Sequence, residues 1–128
     1  MTILLVEDET LTRLMLTAEL DAIGHVVIEA ADADEALLIL RSNKSIRLLF
    51  ADIKMPGTID GLQLARIARA EHPAVKVIIG SAHAGLAGWA SEADGAFEKP
   101  YELKQVIAKI LELIGTHPDH PTGNLQDS

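Results

Sequence analysis

Short apolar runs alternate along this chain with longer amphipathic ones, and the two kinds have different periods. Residues 3–6, 25–30, 47–51, 75–79 and 95–98 read as strands. Most are continuously apolar, the pattern of strands buried on both faces. A helix is predicted from about Thr10 to Ile23, stopped by Gly24. Leu11, Leu14, Met15 and Ala18 read as its core-facing residues. Asp32-Ala33-Asp34-Glu35 has the form of a capping box, an acidic N-cap with Glu at N3, opening a helix to about Ser42. Asp60-Gly61-Leu62-Gln63 is a second such signature, opening a helix that ends before His72-Pro73. The last helix begins after Pro100, with Leu103, Val106, Ile107, Ile110 and Ile114 on one face. Residues 83–93 are expected to form only a short or irregular fourth helix. Gly85 and Gly88 each cost a helix there about 1 kcal/mol relative to Ala.

Strands alternating with helices predict an α/β fold with a parallel sheet covered on both faces. Right-handed crossovers favour a doubly wound, flavodoxin-like sheet of five strands in the order 2-1-3-4-5. The domain is expected over residues 1–114. Residues 115–128 carry one lone Leu125 among polar residues, Gly and Pro, and read as a disordered tail.

Composition narrows the class. The 128 residues suit one domain, and 48% apolar content can build a core without staples. The absence of cysteine excludes a disulfide scaffold, a thiolate metal site and a cysteine nucleophile. No apolar run is long enough to span a membrane, and no basic segment precedes Ile3-Leu4-Leu5-Val6, so a cytoplasmic protein is expected. With 19 Asp and Glu against 11 Lys and Arg, the net charge of −8 argues against nucleic acid as a partner.

In an open parallel sheet, ligands bind beyond the carboxyl ends of the strands. The residues there are Glu7-Asp8-Glu9 after the first strand, Asp52 after the third, Ser81 after the fourth and Lys99-Pro100 after the fifth. The second strand ends in Ala30-Ala31 and contributes nothing reactive. In the predicted order the other four strands are neighbours, so the reactive groups converge. Carboxylates placed together repel unless a cation intervenes. A hard divalent ion such as Mg²⁺ takes carboxylates, waters and phosphate oxygens. A lysine and a hydroxyl beside it complete the equipment for phosphoryl transfer.

These stretches resemble the receiver domain of two-component response regulators, the CheY-like family. The resemblance rests on Ile3-Leu4-Leu5-Val6-Glu7-Asp8-Glu9, Asp52-Ile53-Lys54-Met55-Pro56 followed by Asp60-Gly61, Ser81-Ala82 and Lys99-Pro100. It implies that Asp52 is the phosphoacceptor, taking its phosphoryl group from a sensor histidine kinase or a histidine phosphotransfer protein. It implies that Asp8 ligates Mg²⁺ directly, that Glu7 acts mostly through water, and that Asp52 and the Lys54 carbonyl complete the protein ligands. Ser81 and Ala82 would meet the phosphoryl group when the switch closes, and Lys99 would pair with it, held by a cis peptide to Pro100. The expected output is contact with a downstream protein, from a stand-alone domain that is a monomer or weak homodimer and not an enzyme. The exposed face of the first helix is the candidate surface for a kinase.

Some positions depart from the family pattern. The step from Asp52 to Asp60 is one residue longer than the commonest receiver spacing, and Gly57 is expected to absorb it. Ser81 to Lys99 is about four residues shorter, roughly one helical turn, which falls on residues 83–93. Trp89, in that segment, admits two readings, an exposed partner anchor or a cap over the core. Ala96 stands where most receivers keep the aromatic of their switch, and strand alternation sends its neighbour Phe97 to the opposite face.

Two other function classes compete. A phosphorylation-independent adaptor could keep the same fold. An Asp-nucleophile phosphatase of the haloacid-dehalogenase type would want a second Asp two residues after Asp8, where Thr10 stands. No G-x-G-x-x-G follows the first strand, which disfavours a dinucleotide site. Lys54 and His83, two residues beyond Asp52 and Ser81, flank the path of water to an acyl phosphate in this family and are expected to slow dephosphorylation. The Asp52-phosphate lifetime should shorten when both are changed to Ala; an equal or longer lifetime would sink this expectation.

Overall fold

A computed structural model describes residues 1–54, 57–82 and 93–115. The order of elements is β1 (Thr2–Val6), α1 (Thr10–Ala22), β2 (Val26–Ala30), α2 (Ala33–Ser42), β3 (Ile46–Asp52), α3 (Gly61–Glu71), β4 (Lys76–Ser81), β5 (Gly95–Glu98) and α4 (Leu103–Ile114). All strands are parallel, in the order β2-β1-β3-β4-β5. The predicted topology and the strand positions therefore hold. The segment expected to form a fourth helix falls, apart from Ala93, outside the described residues, as does the predicted tail beyond Gly115.

The continuous apolar runs make sense in this sheet, because side-chain alternation feeds two cores. Leu4, Val6, Leu49, Ala51, Val77 and Ile79 face α2 and α3. Ile3, Leu5, Leu48, Phe50 and Ile78 face α1 and α4. The predicted α4 stripe packs as expected, with Val106 and Ile110 buried and Leu103, Ile107 and Ile114 against the same core. Ala96 and Phe97 also separate as alternation requires, Ala96 against the α2–α3 core and Phe97 against the α1–α4 core. The two edge strands are the exceptions to double burial: in β2 only Ala30 is buried, and β5 has no fully buried residue.

The helix starts follow their caps. Asp60 accepts the Gln63 N–H at 2.8 Å, and Gln63 accepts the Asp60 N–H at 2.9 Å, a complete capping box. The other predicted box is only half formed. Asp32 accepts the Glu35 N–H at 2.8 Å, but the Glu35 carboxylate accepts from Ala31 N–H instead of Asp32. Gly24 ends α1 with φ 92°, a left-handed conformation glycine adopts without strain. Gly57 likewise takes φ 120° in the lengthened β3–α3 connection. Thr58, next to it, donates through its N–H and hydroxyl to Asp34 at 2.7 and 2.5 Å, which ties that connection to α2.

α1 turns a different face to the sheet from the one its sequence predicts. Leu11, Leu14 and Met15 are exposed by 66%, 57% and 46%, and Ala18 is exposed too. Leu16 and Leu20 are the residues buried against the sheet, with Ile23 packed beside them. The helix carries two apolar stripes of the same period, and a tether chooses between them. Arg13 donates to the Glu7 carbonyl at 2.9 Å and pairs with Glu29 of β2 at 2.9 Å, so its side of the helix turns to the sheet. Leu20→Ala should cost about 2–5 kcal/mol and Leu14→Ala within roughly 0.5 kcal/mol. Urea unfolding of the two variants measures this; equal losses would put the helix in the wrong rotation.

Candidate phosphoacceptor site

β1 and β3 are neighbours, so their carboxyl ends deliver acids to one place. Glu7, just past β1, is fully buried; Asp8 is exposed; Asp52, the last residue of β3, is 4% exposed. One carboxylate oxygen from each lies within 4.8 Å of the others. At that spacing each pair repels by on the order of 3 kcal/mol at an effective dielectric of about 20.

Lys99 offsets part of this. It leaves the end of β5, crosses the end of β4, and places Nζ 2.6 Å from Asp52 Oδ2 and 3.1 Å from Glu7 Oε2. Its main chain is fixed as well: the Lys99 N–H donates to the Ser81 carbonyl at 2.8 Å, and the Lys99–Pro100 peptide is cis. The second Asp52 oxygen accepts the Lys54 N–H at 3.2 Å. Glu7 Oε2 also accepts the Glu9 N–H at 3.0 Å, while Oε1 is buried with no partner among the described residues.

Burial pushes the Glu7 carboxyl above its ordinary value, against the Glu9 N–H and Lys99, which pull it down. Burial pulls Lys99 down, but its hydrogen bonds to Asp52 and then Glu7 outweigh this, and its pKa is raised. Three carboxylates against one ammonium leave two negative charges uncompensated. An all-oxygen donor set with an orphaned buried acceptor and that charge deficit fits a hard divalent cation such as Mg²⁺.

The structure thus brings together Glu7, Asp8, Asp52 and Lys99, four of the residues singled out in the sequence. Lys54 lies beside Asp52 with its side chain exposed, and Ser81 is buried at the end of β4 with Ala82 exposed next to it. Ala96 faces the α2–α3 core. His83, Trp89, Met55 and Pro56 lie outside the described residues. Sequence reasoning used Gly61 as a helix start and as part of the family pattern, but gave it no place at the site; a Cβ there would fall 1.9 Å from the Asp52 carbonyl oxygen. Only glycine lets α3 begin this close to the acid. Tyr101 was also missed; its signal was being the only tyrosine, one residue past Lys99-Pro100.

The sequence profile of the response regulator receiver domain matches residues 3–111, and the chain belongs to that family. It is 36% identical over 118 residues to the sensor kinase CckA of Brucella abortus, covering 88% of this chain and 12% of that one. It is 33% identical over 118 residues to the two-component response regulator PhoP of Pseudomonas aeruginosa, covering 89% of this chain and 52% of that one. The chain therefore spans from about an eighth to about half the length of these curated relatives. Among solved structures, the response regulator TrrA of Thermotoga maritima in complex with Mg²⁺–BeF superposes with a TM-score of 0.79 at 30% identity, over 88% of this chain and 98% of that one. Among the described residues, no helix is long and apolar enough to cross a membrane.

The raised Glu7 carboxyl makes cation binding compete with a proton at pH values above the ordinary glutamate 4.5. Below its shifted pKa Glu7 is neutral and holds a cation poorly; above it Glu7 is ionised. Mg²⁺ affinity should fall as pH is lowered through that range, with proton release on binding. Glu7→Gln should flatten this dependence. The same shift means that the ionised side chain weakens the metal-free fold as pH rises through its folded pKa, so Glu7→Gln should also raise Tm at neutral pH. Calorimetric Mg²⁺ titrations across pH test the first point; identical pH slopes in both proteins would contradict it.

Proposed function

We propose that Asp52 accepts a phosphoryl group from a phosphohistidine on a sensor histidine kinase or histidine phosphotransfer protein, in a Mg²⁺-dependent reaction, and that the chain signals by protein contact. The observation that carries this reading is the setting of Asp52. It is a nearly buried carboxylate at a strand end, flanked by two further acids and held by one lysine.

A carboxylate oxygen of Asp52 attacks phosphorus as the phosphorus–nitrogen bond to the donor imidazole breaks, and the imidazole leaves with the electron pair. Asp8, Asp52, the Lys54 carbonyl and, through water, Glu7 would hold Mg²⁺, which would neutralise charge on the transferring group. Lys99, already 2.6 Å from Asp52, supplies a positive charge that can follow the phosphoryl oxygens. Ser81 offers its hydroxyl from the neighbouring strand, with the Ala82 N–H beside it.

Lys54 and His83 slow the return of water. The chain acts as a phosphoryl carrier that is consumed once per transfer, not as an enzyme that turns over free substrates. Leu11, Leu14 and Met15, exposed on α1, give a protein partner an apolar surface beside the acids.

Incubation with acetyl phosphate, with and without Mg²⁺, followed by a phosphate-affinity gel, tests this. A Mg²⁺-dependent shift lost in Asp52→Asn is expected. The absence of a shift, or its persistence in Asp52→Asn, would defeat the assignment. Release of free phosphate from a generic ester with turnover would favour a phosphatase instead.

A further inference from the structure

Tyr101 turns its ring back beneath the acidic site. The ring meets Phe50 edge-on, with centroids 5.5 Å apart and planes at 81°. Phe50 lies two residues before Asp52 on β3. Lys99 Nζ stands 5.8 Å from the Tyr101 ring centroid. The hydroxyl is buried and, among the described residues, has no hydrogen-bond partner. It occupies the space where residue 80 has no side chain: a Cβ on Gly80 would fall 1.9 Å from the hydroxyl oxygen and 2.7 Å from Cζ. Gly80 is paired with Asp52 on one side and Phe97 on the other, and Ser81 follows it.

A buried hydroxyl without a partner is uncommon in a folded protein and calls for a reason. Glu7 Oε1 is its chemical complement, a buried acceptor that also lacks a partner among the described residues. Burial and then the charges of Glu7 and Asp52 push the phenol well above its ordinary value, so Tyr101 remains a donor. Lys99 now bridges Asp52 and Glu7. A phosphoryl group on Asp52 would present new anionic oxygens to that ammonium and draw it from Glu7, whose carboxylate then needs another donor.

On the phosphoacceptor reading above, we propose that Tyr101 is the positioning residue that couples occupancy of Asp52 to the α1–α4 face. Its hydroxyl rests in the Gly80 notch while Lys99 bridges the two acids. It donates to the Glu7 carboxylate, directly or through one water, when Lys99 follows the phosphoryl group. The ring lines a cavity of about 510 Å³ together with Leu11, Met15 and Leu103, so its movement reshapes the surface next to α1. Ala96 cannot serve this role, being small and on the opposite face of the sheet.

The chain has a single tyrosine, so fluorotyrosine incorporation yields one protein ¹⁹F signal. The full chain is titrated with Mg²⁺ and beryllofluoride, an acyl-phosphate analogue with its own ¹⁹F resonance when bound. The Tyr101 signal is expected to shift in step with the bound analogue in wild type, and neither change is expected in Asp52→Asn. Bound analogue with an unmoved Tyr101 signal overturns this proposal and leaves the phosphoacceptor reading standing. No bound analogue in folded wild type overturns both.

Amide exchange at residues 11–16 supplies a second readout. The analogue should slow it severalfold in wild type, and Tyr101→Phe, which keeps the ring, should bind the analogue without that slowing. Equal slowing in Tyr101→Phe would remove the hydroxyl from the account.

Discussion

Parallel strands that end on one edge bring their last side chains together whether or not those side chains repel. Here that edge carries Glu7, Asp8 and Asp52, and Lys99 is what makes the arrangement tolerable. The lysine must cross the end of β4 to reach β3. One ammonium does not balance three carboxylates. The remaining deficit suits the site to a divalent cation, and on the proposed function Lys99 would meet the further anion placed on Asp52.

Precise placement of these groups comes from backbone contacts around them. Arg13 ties the turn after β1 to β2, holding the Glu7 carbonyl. The capped start of α3 presses Gly61 against the Asp52 main chain, and Gly61 N–H donates to the Ile53 carbonyl at 2.9 Å. Asp34 anchors the connection that follows Lys54. Each of these contacts removes a freedom that the acids would otherwise use to move apart.

Much of this was legible in the sequence because it depends on periods and on strand ends. Continuous apolar runs announced a doubly covered sheet, and the strand order followed from topology. Alternation alone separated Ala96 from Phe97, and a single stripe gave the buried side of α4. The convergence of Glu7, Asp8, Asp52 and Lys99 followed once the strands were in order. What escaped depends on competition between equal local signals or on contacts distant in sequence. The rotation of α1 could not be read, since the 11-14-15-18 and 16-20-23 stripes have the same period and Arg13 decides between them through Glu29, sixteen positions away. Glu35 had two N–H groups within reach, and its choice of Ala31 left one capping box incomplete. Tyr101 and Gly80 lie twenty-one positions apart and signify nothing until the fold joins them.

Everything proposed for the site requires that Asp52 itself receive the phosphoryl group. An acyl phosphate is reduced by borohydride to the alcohol, so an aspartyl phosphate leaves homoserine at the modified position. Protein exposed to a small-molecule phosphodonor and Mg²⁺, then reduced and analysed by peptide mass spectrometry, should show homoserine at position 52 alone. Homoserine at position 8 instead, or at no position in a folded and Mg²⁺-bound sample, would contradict the account.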